Sequence, residues 1–197
     1  MSPILGIYAS QISGHLVTNN YSSIQTVTVG SGGVSTVTFS SIPQTYTHLQ
    51  IRAITRSTSS VGGSGVSYGG SGFMTFNGDS GSNYNEHYLY GDGSSAGSGA
   101  IGTLSYMLIS DLGGPYSGQT ANTYSGSIID ILDYTSTTKN KTIRVLNGQD
   151  RNGAGRALFQ SGVWFNSTIQ AITSISIVES DSANFAQYSQ FALYGIK

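Results

Sequence analysis

Apolar and β-branched residues occur along this chain in short runs, mostly with a period of two, broken by clusters of Gly, Ser and Asn. That is the signature of half-buried strands joined by turns. The clearest alternation is 46–55 (YTHLQIRAIT), where Leu49, Ile51 and Ala53 point one way and His48, Gln50 and Arg52 the other. Residues 24–29 (IQTVTV) and 34–39 (VSTVTF) flank Gly30-Ser31-Gly32-Gly33 and predict a hairpin, with Val27 and Val29 on one face, as are Val37 and Phe39. Further strands are expected at 73–77, 86–90, 103–109, 125–134, 141–147, 157–165, 169–178 and 189–196, about ten or eleven in all. The last of these ends beside the C-terminus and is expected inside a sheet. No window sustains apolar residues at i, i+3, i+4 and i+7, so no helix is predicted. The expectation is an all-β fold: a single antiparallel β-sandwich, jelly-roll-like, over 21–197, preceded by an extended N-terminal arm over 1–20.

The arm reads differently from the rest. Pro3, Ile4, Leu5, Ile7, Tyr8 and Ile12 are apolar, yet they form no alternation long enough for a strand. A solvated tail has no need of them. They are expected to dock, either on a neighbouring subunit or larger assembly or on the chain's own domain. Three Gly/Ser-rich stretches, 57–72, 91–102 and 110–124, are longer than turns require. Their Gly, Ser and Tyr content suits an adaptable recognition surface, with Tyr68, Tyr116 and Tyr124 as its candidates; solvated connections are the plainer reading.

Composition narrows the function. Of the 197 residues 9% are charged, against roughly 25% in an average soluble domain, and net charge is −1. With no basic excess, a surface for nucleic acid is not expected. With no Cys there is no disulfide, no thiolate metal site and no thiol nucleophile. No apolar run reaches the length of a membrane span. The N-terminus has no basic start followed by an apolar run, so no secretory leader is expected.

Candidate chemistry is sparse. The three histidines, His15, His48 and His87, have no nucleophile-elbow motif to serve. Asp130 and Asp133 are three apart, which on a strand turns them to opposite faces. Glu179 and Asp181 are expected in a turn. Gly91-Asp92-Gly93-Ser94-Ser95-Ala96 has the spacing of a dinucleotide loop but no helix to follow it. Asp79 and Asp92 are conceivable calcium ligands, though neither stands in an EF-hand spacing. Sequons at Asn20, Asn140 and Asn166 are the chance yield of a Ser/Thr-rich chain. Trp164 is expected in the core, and most Tyr at sheet rims. The expectation is no catalytic set, no cofactor and no resident metal.

Several blocks resemble a family of small structural proteins of tailed bacteriophages, cyanophages included. They are SPILGIYASQISGH at the start, VTFSSIPQTYTHLQIR at 37–52, FNGDSGSNYNEHYLYGDGSSAGSG at 76–99, SIIDILDY at 127–134 and QYSQFALYGIK at 187–197. TYTHLQIR and FNGD…HYLYGDG are the most specific of them. The resemblance implies a non-enzymatic virion component, assembled in the host bacterial cytoplasm, whose partners are capsid or tail proteins and copies of itself. Analogy with other virion proteins brings a trimer as one such oligomer. The finer expectation is an outward-facing accessory protein, a capsid decoration or fibre-like appendage, anchored by its arm. The alternative is a tail-fibre module that recognises a host surface glycan through its loops.

Overall fold

The computed structural model describes residues 20–60 and 70–197, and among these are twelve strands in two antiparallel sheets. The larger sheet runs β1 (Tyr21–Thr28), β12 (Gln190–Ile196), β3 (His48–Thr55), β8 (Ser125–Ile131), β9 (Lys141–Asp150), β10 (Gly155–Trp164), β5 (Tyr84–Gly91), β6 (Ala96–Leu104). The smaller runs β2 (Thr36–Phe39), β11 (Ile175–Glu179), β4 (Gly70–Phe76), β7 (Met107–Gly114). The small sheet together with β3, β10, β5 and β6 has the strand order of a jelly roll, with the β8–β9 hairpin inserted between β3 and β10. β12 and β1 extend the larger sheet beyond β3, so the C-terminal strand is interior, as its sequence position leads one to expect.

Period-two patterning explains the sandwich. In β3, Leu49, Ile51 and Ala53 are buried, and in β9, Ile143 and Val145 alternate with exposed Thr142, Arg144 and Leu146. One end of the interior is apolar and aromatic. Trp164, Tyr84 and Phe76 cluster there, with Phe76 and Tyr84 centroids 5.4 and 6.4 Å from the Trp164 ring, against buried Leu49, Ile131 and Ile143. The Trp164 Nε1 donates to Asp79 Oδ2 at 2.7 Å. Burial pulls the Asp79 carboxyl up, but bonds from Trp164, Asn83, the Gly81 amide and Asn166 outweigh it and hold the pKa below its ordinary value.

Several strand expectations need correction. Residues 24–29 and 34–39 do not form a hairpin: β1 pairs with β12 and β2 pairs with β11, in different sheets. The Gly30–Gly33 segment turns through positive φ at Gly32 and Gly33 and carries the chain from one sheet to the other. The space a Cβ on Gly33 would need is taken by the Phe185 carbonyl and Asn184. Residues 91–102 are not a loop either. From Ala96 they form edge strand β6, paired with β5, and the Tyr90 and Tyr88 rings lie where side chains on Gly97 and Gly99 would be. Aromatic cover from the neighbouring strand compensates the low strand preference of Gly. In the same way, 103–109 divides between β6 and β7, β7 continues through Gly114, and of 169–178 only the part from Ile175 is strand.

Candidate functional site

The two ends of the sandwich differ in kind. The described chain begins at Asn20, whose carbonyl accepts the Lys197 amide at 3.2 Å, so both ends of the described chain lie at the aromatic end. The connections after β3, β5, β7 and β9 gather at the opposite end. A strand of eight residues such as β3 separates the two by about 26 Å.

At the loop end Arg56, just after β3, organises residues 115–124. Its guanidinium donates to the carbonyls of Thr120 and Thr123 at 2.9 Å, Tyr116 at 3.0 Å and Gln119 at 3.3 Å. The loop thus wraps a cation, which satisfies carbonyls that no strand neighbour reaches. Tyr116 and Tyr124 are half-buried. The Tyr116 ring lies against Gly118, and the Tyr124 hydroxyl donates to the Gln187 carbonyl at 3.0 Å. Each is tied into its own packing. Tyr68 and the arm residues Pro3, Ile4, Leu5, Ile7, Tyr8 and Ile12 lie outside the described residues. A large exposed ring at this end is Tyr188, 69% exposed and at φ 70° in the turn before β12. Its only sequence signal is a turn-like AQYS, too weak to single it out. Replacing Arg56 by Ala is expected to lower stability by about 1–3 kcal/mol and to raise proteolytic nicking within 115–124 well above wild type. Unchanged cleavage kinetics would show that the guanidinium does not hold the loop.

Beneath these loops the interior turns polar. β7 bulges here: Ser71 alone spans the register between Gly70↔Gly114 and Gly72↔Ile109. Within the bulge Asp111 adopts φ 59° and aims its carboxylate inward. Arg156 on β10 meets it through Nε at 2.8 Å and Nη2 at 2.6 Å, both side chains 1% exposed. The Tyr90 ring lies 5.0 Å from the same guanidinium. Gln160 bridges to β7, accepting from the Ser110 amide at 3.1 Å and donating to the Leu108 carbonyl at 3.2 Å. Above Arg156 an open cleft of about 620 Å³ is lined by Asp92, Gln149, Asp150 and the glycines of two turns. Among the described residues the buried Gln149 amide has no hydrogen-bond partner. Nor has the Glu86 carboxyl on β5, which burial pushes up to about 8 from an ordinary 4.5.

Asp92, Asp130, Asp133, Glu179 and His48, among the candidate catalytic and metal-binding residues, have structural partners. Asp92 closes the β5–β6 turn by accepting from the Ser94 and Ser95 amides at 2.9 and 2.7 Å. Asp130 accepts from Gln50 and Arg144 on the outer face of the larger sheet, and Asp133 lies past the end of β8 with Lys139 and His48. Glu179 is buried and accepts from Ser57 and from the amides of Asp181 and Ala183. His48 Nδ1 accepts the Asp133 amide at 2.9 Å, and His87 is exposed on the outer face. Among the described residues no group of three His, Asp or Glu stands close enough to hold a metal ion. Compared with known proteins, the chain matches no family model, no curated protein and no solved structure at a significant level.

Proposed function

We propose that this chain is a non-enzymatic structural protein of a tailed-phage virion, an outward-facing accessory protein of capsid or tail anchored through residues 1–20. The observation that carries the reading is the division of the sandwich into two ends. The described chain begins at Asn20 on the aromatic end, and the connections after β3, β5, β7 and β9, with the Arg56-held loop among them, stand at the far end. A protein anchored by what precedes Asn20 would present residues 56–60, 92–95, 115–124 and 151–154 outward. The apolar residues of 1–20 would then pair with or insert into neighbouring proteins, adding main-chain hydrogen bonds as well as buried surface. Low charge fits the same picture, because closely repeated copies repel one another little.

The glycan-binding alternative is favoured by one feature, the cleft over Arg156. Its Gln149, Asp92 and Asp150 would offer donors and acceptors to a small polar ligand. Tyr116 and Tyr124 contribute less to that reading, being engaged by Gly118 and Gln187.

The test is incorporation. Particles purified from infected cells should contain the full chain, and a chain lacking 1–20 should fold but stay out of particles. Normal incorporation of the truncated chain would remove the anchoring role. Absence of the full chain from particles would remove the virion reading altogether.

A further inference from the structure

The outer face of the larger sheet carries two parallel rows of residues, fixed by register. Ile128, Leu146, Phe159 and Leu89 stand directly opposite one another across β8, β9, β10 and β5. They form a ridge of large apolar side chains, 39%, 55%, 41% and 56% exposed. Two residues further along each strand lies a second row: Gly126, Gly148, Ala157 and Gly91, also mutually opposite. This row is a trough. Nothing lies within 4 Å of a Cβ placed on Gly126, and one on Gly148 or Gly91 meets a single carbonyl at 4.0 Å. An open groove of about 640 Å³ covers Gly126, Gly148 and Ala157 of this row, flanked by Ile128 and Leu146, and continues past Ile54 over β3 and β12.

We propose that this face binds a second copy of the chain in a twofold, face-to-face dimer. A ridge lying beside a trough of the same length is complementary to itself. A twofold axis parallel to the rows and midway between them sets each copy's ridge in the other's trough. Ile128 then meets Gly126, Leu146 meets Gly148, Phe159 meets Ala157 and Leu89 meets Gly91, the isologous pairing of a twofold interface. Charge agrees with shape. On β9, Arg144 stands two residues beyond the ridge and Asp150 two beyond the trough, both exposed. The same axis brings Arg144 of each copy towards Asp150 of the other. With a net charge of −1, two copies meet almost without repulsion. Four strands and the rows on either side cover on the order of 600 Å² per copy, approaching the roughly 800 Å² of a standard interface.

The proposal deepens the assembly reading, and the two fail separately, because this test uses isolated protein. Sedimentation of the full chain should show a concentration-dependent dimer. Leu146→Asp should abolish it. Gly148→Val should abolish it too, although it makes the face more apolar, since it fills the trough of an otherwise unaltered monomer. In this Cys-free chain, Leu146→Cys and Gly148→Cys chains should cross-link when mixed and much more slowly when each is alone. A wild-type chain that stays monomeric overturns the proposal. So does a dimer untouched by Gly148→Val, which would mean association through another surface. A dimer in which Leu146→Cys cross-links best to itself would overturn the ridge-in-trough register.

Discussion

Asp111→Asn is expected to destabilise the domain by about 3–5 kcal/mol, the loss found when one member of a buried ion pair is removed. Asn fits the left-handed backbone at this position nearly as well as Asp, so the substitution removes charge with little added strain. The Arg156 guanidinium, 1% exposed on its side chain and 5.0 Å from the Tyr90 ring, then lacks the carboxylate charge beside it. In a domain of this size that is a fall in melting temperature on the order of 10 °C. Arg156→Met is expected to fare about as badly, because it takes the cation away from the buried carboxylate. The pair Asp111→Leu with Arg156→Met should recover much of the loss, since apolar residues often replace a buried pair at little cost. Thermal unfolding of the four proteins decides it. If Asp111→Asn melts within a degree or two of wild type, the pair does not hold β7 against β10.

The second large effect is on pH. Glu86 is 1% exposed, has no hydrogen-bond partner among the described residues, and has its pKa raised from 4.5 to about 8. Between those values the folded chain keeps a proton that the unfolded chain releases. Folding is therefore favoured by this group most fully below pH 4.5, and the contribution is lost as pH rises towards about 8. At about 1.4 kcal/mol per pH unit, the full span is worth on the order of 5 kcal/mol. Glu86→Gln keeps the shape and removes the titration. Its stability relative to wild type should rise steadily from pH 5 to pH 8, as read by denaturant midpoints at each pH. Parallel curves for the two proteins over that window would place the Glu86 carboxyl in contact with water or with a hydrogen-bonding partner.

How much of this was legible in the sequence follows from what each feature depends on. Alternation is local, so β3, β8, β9 and β10 can be read directly, and the all-β sandwich with them. Partner choice is not local. Val27–Val29 and Val37–Phe39 read as a hairpin because only the turn between them is visible, whereas β12 and β11 compete for those strands from more than a hundred residues away. Strand β6 was hidden because its glycines are strand formers only under Tyr88 and Tyr90. The polar interior had the same difficulty. Asp111 and Arg156 are 45 residues apart, and only the bulge in β7 brings them together. The outer ridge draws one residue from each of four strands, and each looks in isolation like a stray exposed apolar group. Of the expected recognition residues, Tyr116 and Tyr124 are legible as loop tyrosines, but their engagement with Gly118 and Gln187 depends on how Arg56 folds the loop.

The central claim, a virion protein held at one end and exposed at the other, is tested most directly by electron microscopy of intact particles. The account predicts density for this domain in symmetric copies on the particle's outer surface. The Asn20 and Lys197 end should face the particle, and the 115–124 loop should point away from it. Particles with no such density, or a domain turned with those loops against the shell, would contradict it.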